Sequence, residues 1–291
     1  MSKRPTTLRA FLSLVRIDNS LFAALGIVVS GLLAGDLVGW QFEYFVAFFI
    51  IFFCATGNFA FNDYYDYEVD KRNQRTDRPL VIGLLDKKTA LITGIVSYII
   101  LILLSLLLNT IATSLVLASL PIFFMYNAWL KKVFLVKNIV IGYAFVVTIL
   151  LGSLVSDNIL ESLIVYFAAM GFIVGLGYEI MLDIGDVTGD RALGVQTIST
   201  RYGSQPAALV SVIIYALIML MDPLPFFVNI DSRLSFDYIF LILILIPVIS
   251  YFFISRSLLK DKSKDNIFRL KKRVFLTMQV GCVAYLVGVF L

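Results

Sequence analysis

Long, continuous apolar runs constrain this chain more than any other feature of its sequence. Most of them are near the ~20 residues that an α-helix needs to cross a bilayer, and they lack the alternation of a transmembrane barrel. The chain is 60% hydrophobic and only 15% charged, which excludes an ordinary soluble enzyme and a disordered chain. We therefore predict an all-α, polytopic membrane protein with nine transmembrane helices in one bundle. The predicted spans are 17–38, 42–64, 89–108, 111–130, 136–155, 160–182, 207–221, 238–254 and 274–291.

The basic residues divide unevenly between the two ends of these spans. Of the 24 Lys and Arg residues, only Arg233 lies on one side of the predicted membrane, and all the others lie on the opposite side. Because cytoplasmic loops are enriched in Lys and Arg, we predict a cytoplasmic N-terminus and an extracytoplasmic C-terminus in the cell membrane. We expect the first span to be retained, because it is longer than the apolar region of a cleaved signal peptide. We predict one membrane domain over residues 1–291.

The absence of histidine narrows the chemistry that the chain can perform. It excludes Ser-His-Asp and Cys-His nucleophile systems and histidine metal ligands. Cys54 and Cys282 both lie in apolar runs, and one such pair supports neither a zinc site nor a disulfide framework. A bound metal would need mainly oxygen ligands, which favours Mg²⁺ or Ca²⁺. We expect no nucleic-acid partner.

Two groups of acidic and amide side chains lie where predicted spans reach the cytoplasm. The first group comprises Asn62, Asp63, Asp66, Glu68 and Asp70, and the second comprises Asp183, Asp186 and Asp190. The four-residue spacing of Asn62, Asp66 and Asp70 places them in a stripe on one face of their helix, and the spacing of the second group does the same. We expect the two stripes to face each other. Such concentrated negative charge is costly near an apolar interior unless cations neutralise it. Because Mg²⁺ often joins carboxylates to substrate phosphates, the groups predict a magnesium site at the cytoplasmic side.

Basic residues beside both groups fit a substrate that carries a diphosphate. These residues are Lys71, Arg72, Arg75 and Arg78 after the first group, Arg191 after the second, and Lys131 and Lys132 after the fourth span. Metal ions and fixed cations together can hold diphosphate oxygens, although the positive-inside rule alone also accounts for cations at helix ends. The basic segment from Arg256 to Arg273 instead fits contact with anionic membrane lipids. Gly171 and Gly175 indicate close helix packing.

The two acidic groups resemble the paired motifs of the UbiA superfamily of intramembrane prenyltransferases. The family's N-D-x-x-D-x-x-x-D motif stands here as residues 62–70, and its D-x-x-D-x-x-x-D motif as residues 183–190. Residues 78–83, with Arg78, Pro79, Leu80 and Gly83, are similar to the family's R-P-[IL]-x-x-G segment, although Ile82 replaces a common serine. Other positions that resemble polar family positions are Arg16 and Asn19 in the first span and Tyr126 and Lys131 near the end of the fourth.

This resemblance implies Mg²⁺-dependent transfer of a prenyl group from its diphosphate. Asp66, Asp70, Asp186 and Asp190 would be the catalytic metal ligands together with Asn62, and Asp63 and Asp183 would be ligands or supports of ligands. Arg72, Arg78 and Lys131 would hold the diphosphate, and Arg16, Asn19 and Tyr126 would complete the substrate site. With histidine absent, the proton of the acceptor would pass to a carboxylate or to a diphosphate oxygen.

Within the family, two stretches are similar to those of archaeal ether-lipid enzymes. They are ATGNFAFNDYYDYEVDKRN at 55–73 and LDIGDVTGDRALGVQT at 182–197. They imply geranylgeranyl diphosphate as the donor and a lipid-like phosphate, geranylgeranylglyceryl phosphate, as the acceptor. An aromatic acceptor of a quinone pathway is the alternative, because those relatives share most motif positions. A cation-coupled transporter is a more distant alternative, since it would place its acidic residues near the bilayer midplane.

Overall fold

The structure, a computed structural model, describes residues 6–72, 74–192 and 194–291, and its regular secondary structure there is helical. Asn73 and Leu193, which belong to the two stretches quoted above, lie outside the described residues. The helices are α1 (Thr7–Leu14), α2 (Ile17–Ala34), α3 (Phe42–Arg72), α4 (Lys87–Ser105), α5 (Thr110–Ala128), α6 (Val136–Leu154), α7 (Ser162–Ala192), α8 (Ile198–Tyr202), α9 (Ser204–Met221), α10 (Leu224–Phe227), α11 (Tyr238–Lys260) and α12 (Lys264–Phe290). A 3-10 turn at Leu130–Lys132 follows α5.

Nine segments of the described chain are helical, long and apolar enough to span a membrane. They comprise α2 to α7, α9 with α10, α11 and α12, so the predicted class of polytopic all-α membrane protein is confirmed. The predicted bounds were too short at the polar ends, since α3 continues to Arg72, α7 to Ala192 and α12 begins at Lys264. A hydropathy pattern detects only the apolar part of a helix, whereas backbone hydrogen bonding continues through polar turns. Both acidic groups are therefore helical.

The chain divides into two compact units. The first comprises the chain up to Gly31, Asp36–Leu130 and Leu151–Ile159. The second comprises Leu32–Gly35, Lys131–Leu150 and Leu160–Leu291. The single membrane domain over 1–291, the orientation of the termini and the facing stripes all stay predictions.

The core of the first unit is built from the inward faces of α2 to α5. Its buried side chains include Ala24, Ile27, Ala47, Ile50, Leu101 and Val116. Large apolar side chains on the outer faces, such as Ile99 and Leu103, are exposed instead, which suits helices surrounded by lipid rather than by water. A second cluster of Leu14, Ala60, Leu80 and Ala90 ties α1 and the segment after α3 to the acidic end of α3.

In the second unit, close packing of α7 on α6 confirms the interpretation of Gly171 and Gly175. A Cβ added at Gly171 would lie 2.8 Å from Ile149 Cδ1, and one at Gly175 would lie 2.9 Å from Phe145 Cδ2. Glycine at these positions allows the two helices to approach.

Candidate active site

The first acidic run lies on the last turns of α3, as its helical spacing predicts. Asp63 and Asp70 are buried, and Asn62 and Asp66 are partly buried. Burying a carboxylate is costly unless cations or hydrogen bonds compensate for the lost water. The buried Asp63 should therefore have cationic or hydrogen-bonding partners.

Two arginines from different segments converge on Asp63. The Oδ1 atom of Asp63 accepts hydrogen bonds from Arg16 Nη2 at 3.2 Å and from Arg78 Nη1 at 3.0 Å. Arg78 Nε also lies 3.5 Å from Asp70 Oδ2, so Arg78 links two carboxylates of the run. The other oxygen of Asp63, Oδ2, accepts no hydrogen bond from any residue that the structure describes.

Arg16 occupies the junction between α1 and α2 in an uncommon backbone conformation. Its φ angle is 44°, in the left-handed region that residues other than glycine rarely adopt, and such strain concentrates at functional sites. Its guanidinium lies 4.5 Å from the centre of the Phe59 ring. Burial and then the neighbouring Arg78 lower the pKa of Arg16, but an arginine remains charged in proteins. Arg16 is thus a fixed cation beside the first run.

The segment after α3 folds back so that Arg78 reaches the carboxylates. Arg75 donates two hydrogen bonds to Asp77, from Nε and from Nη2, each of 2.8 Å, and this pairing lowers the pKa of Asp77 to about 2. Leu80 is buried, and Gly83 has a φ angle of 72°, which glycine adopts without steric cost. The R-P-L-x-x-G resemblance thus corresponds to a turn that orients a cation.

A partly buried polar network one turn before Asn62 was not predicted. Asn58 Oδ1 accepts hydrogen bonds from Asn127 Nδ2 at 2.7 Å and from the Tyr98 hydroxyl at 3.1 Å. Tyr126, which precedes Asn127 on α5, is partly buried. The spacing of four residues between Asn58 and Asn62 was the available sequence signal. These hydrogen bonds join α3 to α4 and α5, and networks of this kind favour one packing arrangement.

The second acidic run lies on the last turns of α7. Asp183 and Asp190 are buried, and Asp186 is exposed. Asp183 Oδ1 accepts a hydrogen bond from Lys137 Nζ at 2.6 Å, and its Oδ2 accepts one from Asn138 Nδ2 at 2.8 Å. Lys137 Nζ also lies 3.7 Å from Asp190 Oδ2, which accepts no hydrogen bond within the described chain. One lysine therefore serves two carboxylates here.

Three residues beside the second acidic run were not predicted from the sequence. Lys137 and Asn138 begin α6, where a lysine is indistinguishable from other cations at the ends of spans. Glu179 lies one turn before Asp183 on α7 and is partly buried. Its spacing of four residues from Asp183 places it on the same face of α7 and was a usable signal.

The other predicted substrate-binding residues lie at the ends of helices. Asn19 is exposed near the start of α2, and Arg72 is exposed at the end of α3. The side chains of Asn19 and Arg72 form no hydrogen bond or ion pair with residues in the described ranges. Lys131 is partly buried in the 3-10 turn after α5. The roles of these residues stay predictions.

Comparisons with known proteins agree with this fold. Residues 21–278 match the model of the UbiA prenyltransferase family. The chain is 26% identical over 283 residues to a digeranylgeranylglyceryl phosphate synthase of Archaeoglobus fulgidus, covering 97% of this chain and 96% of that one. A solved structure from work on digeranylgeranylglyceryl phosphate synthase in membranes is similar with a TM-score of 0.77 and 25% identity, covering 98% and 99% of the two chains.

A more distant structure shares the fold. It is a UbiA homologue from Archaeoglobus fulgidus bound to DMAPP and Mg²⁺, with a TM-score of 0.69, 15% identity and coverage of 94% and 98% of the two chains. Taken together, the helices and the matched family model define a membrane-embedded prenyltransferase. The chain belongs to the UbiA prenyltransferase family, which confirms the resemblance to that family.

Proposed function

We propose that this prenyltransferase transfers a geranylgeranyl group from geranylgeranyl diphosphate to the hydroxyl of geranylgeranylglyceryl phosphate. The product would be digeranylgeranylglyceryl phosphate, an intermediate of archaeal ether lipids. The observation that carries this proposal is likeness to synthases of that name along 97% of the chain. Likeness confined to the acidic motifs would support only the prenyl diphosphate half of the reaction, because quinone-pathway relatives share those motifs.

We also propose that both acidic runs bind Mg²⁺. The ligands would be Asn62, Asp66 and Asp70 on α3, and Asp186 and Asp190 on α7. The donor set fits this ion because every member offers a carboxylate or amide oxygen. The buried Oδ2 atom of Asp190 accepts no hydrogen bond from the described residues, and a cation would compensate for its lost hydration. The distant UbiA homologue bound to DMAPP and Mg²⁺ supports the choice of metal.

In this proposal Asp63 and Asp183 position basic side chains and are not themselves metal ligands. Asp63 holds Arg16 and Arg78, and Asp183 holds Lys137. An arginine has five N–H donors and a lysine three, so each cation keeps donors for diphosphate oxygens after pairing with its aspartate. Arg72 and Lys131 would add further positive charge, and Asn19 and Tyr126 would contact substrate.

The reaction requires one bond to break and one to form. Bound Mg²⁺ would neutralise the diphosphate and so stabilise it as a leaving group. Arg16, Arg78 and Lys137 orient the diphosphate through charge-assisted hydrogen bonds. The C1–oxygen bond of the prenyl diphosphate breaks, the acceptor oxygen bonds to C1, and inorganic diphosphate leaves. The acceptor proton passes to a carboxylate or to a diphosphate oxygen.

An acceptor panel tests the proposed substrate. The purified chain is given geranylgeranyl diphosphate and Mg²⁺ with geranylgeranylglyceryl phosphate, 4-hydroxybenzoate or dihydroxynaphthoate, and products are identified by mass spectrometry. We expect product only with geranylgeranylglyceryl phosphate, and we expect EDTA to abolish it until Mg²⁺ is restored. Transfer only to an aromatic acceptor would replace this proposal with a quinone-pathway function.

A further inference from the structure

The polar end of the α11–α12 hairpin contains a cavity of about 370 Å³ that the proposed function does not use. Four basic side chains line it: Arg256 and Lys260 from α11, and Arg269 and Arg273 from α12. Each pair is spaced by four residues, which places its two members on one face of their helix. The cavity is therefore bounded by two short cationic stripes.

The positive charge of this cavity is largely unbalanced. Asp261 is the one acidic residue among the lining residues, and its Oδ2 lies 3.9 Å from Arg269 Nη2. Arg256, Lys260 and Arg273 make no ion pair with any residue in the described part of the chain. Like charges held close together repel each other, so an anion shared among them would be stabilising.

Side-chain hydrogen bonds stabilise the turn between α11 and α12, next to these cations. Asn266 is only 5% exposed, and its Nδ2 donates hydrogen bonds to the carbonyl oxygens of Asp261 at 2.6 Å and Ser257 at 3.3 Å. The Ser257 hydroxyl donates to Asn266 Oδ1 at 3.2 Å, and Ser263 caps the start of α12. The basic side chains therefore extend from fixed backbone positions, which reduces the entropy lost when they bind an anion.

One wall of the cavity is apolar. Phe253 lines it and is 54% exposed. Phe252 and Ile249 on the same membrane-spanning helix are exposed as well. Cations at the end of a span, with exposed apolar side chains further along it, match a ligand that has an anionic head and an apolar tail.

We propose that this cavity binds the phosphate-bearing head group of an anionic membrane lipid, whose chains lie along the exposed face of α11. Arginine side chains suit phosphate because their planar N–H donors can bind two oxygens at once. A free phosphate ion would satisfy the cations but would leave Phe253 and its exposed neighbours uncovered. This proposal does not depend on the identity of the prenyl acceptor.

Native mass spectrometry of the full chain in detergent tests this site. The probes are phosphatidylglycerol and phosphatidylcholine with identical acyl chains, and separately inorganic phosphate. We expect the first phosphatidylglycerol to bind about tenfold more tightly than phosphatidylcholine, given the contribution of each basic residue near anionic lipid. The double variant Arg256→Gln/Arg273→Gln should lose this preference.

The matched control is Lys264→Gln/Lys272→Gln, which removes two charges from α12 outside the cavity lining. It should keep the preference. Arg256→Lys/Arg273→Lys preserves the charge but not the paired N–H donors, so it should keep part of the preference. If the double glutamine variant fails to fold, the single variants Arg256→Gln and Arg273→Gln each should weaken binding by about threefold. Equal losses in the two double glutamine variants would overturn the proposal, because they would indicate diffuse attraction. Inorganic phosphate binding as tightly as phosphatidylglycerol would overturn the assignment to lipid.

Discussion

The acidic ends of α3 and α7 are built alike, although they belong to different compact units. Each helix has 31 residues. In each, the carbonyl oxygen of the last motif aspartate accepts a hydrogen bond from the N–H group five residues later: Arg75 to Asp70 at 3.0 Å and Val195 to Asp190 at 2.9 Å. This is the hydrogen bond that closes a Schellman motif at a helix end. Both helices therefore stop at the same place relative to their carboxylates.

The first aspartate of each run is also held in the same way. Arg16 immediately precedes α2 and pairs with Asp63 on the next helix, 47 residues later. Lys137 lies in the first turn of α6 and pairs with Asp183 on α7, 46 residues later. The same arrangement thus occurs in two helix pairs, α2 with α3 and α6 with α7. In each pair, a cation at the start of the first helix neutralises an aspartate at the acidic end of the second.

The two runs differ in how many cations neutralise them. Asp63 has Arg16 and Arg78, whereas the described partners of Asp183 are one lysine and the Asn138 amide. The guanidinium of arginine can bind two oxygens in a plane, while the ammonium of lysine acts as a point charge. The end of α3 can therefore lose one cation and stay paired, whereas the end of α7 depends on Lys137.

Removing one aspartate from each helix tests whether both runs bind metal. We expect Asp66→Ala on α3 and Asp186→Ala on α7 each to lower kcat/KM by ~100-fold or more, because each removes an oxygen ligand from a preorganised charged site. Glu68→Gln is the matched control, since Glu68 is exposed on α3 and faces away from the Asn62 stripe. Steady-state assays of purified, folded variants provide the measurement. A large loss on one helix alone would break the equivalence of the two runs.

The second prediction addresses the unequal number of cations. We expect Lys137→Gln to lower the free energy of unfolding by about 3 kcal/mol, because it leaves Asp183 buried without a cation. Arg16→Gln should cost about 1 kcal/mol, because Arg78 still pairs with Asp63. Unfolding in one detergent compares the variants, and Lys137→Arg should recover most of the loss. Equal losses for Lys137→Gln and Arg16→Gln would contradict the proposed redundancy at α3.

A smaller effect is expected for the amide partner of Asp183. Asn138→Ala removes the 2.8 Å hydrogen bond to Asp183 Oδ2 and should lower the free energy of unfolding by about 1–2 kcal/mol. Asn19→Ala is the control, because Asn19 is exposed and its loss should leave the unfolding transition unchanged. An unchanged transition for Asn138→Ala would mean that Lys137 alone holds Asp183.

The smallest effect concerns the turn that orients Arg78. Arg75 lowers the pKa of Asp77 from 3.8 to about 2, so this pair stabilises the fold above about pH 4 and stops doing so as the pH falls toward 2. Both side chains are exposed, so the contribution should stay below ~1 kcal/mol. Asp77→Asn should therefore lower the Tm slightly at pH 6 and by less at pH 3. A Tm difference that does not change with pH would exclude this ion pair as its cause.

Much of the fold and part of the candidate site follow from local patterns. The lengths of the apolar runs predicted the spanning helices, and the four-residue spacing of Asn62, Asp66 and Asp70 predicted a helical stripe. Both are properties of neighbouring residues along one helix. The bounds failed where helices continue past their apolar part, as at the ends of α3 and α7 and at the start of α12.

Local sequence patterns are therefore enough to predict the membrane class, the helical stripes of carboxylates and the family. The pairing of each carboxylate with its cation depends on how the helices pack. Lys137 looked like any cation at the end of a span until packing brought it within 2.6 Å of Asp183. A buried carboxylate is stabilised by whichever cation the helix packing places beside it. Because Lys137 and Asp183 are 46 residues apart, no spacing pattern within one helix could predict their contact.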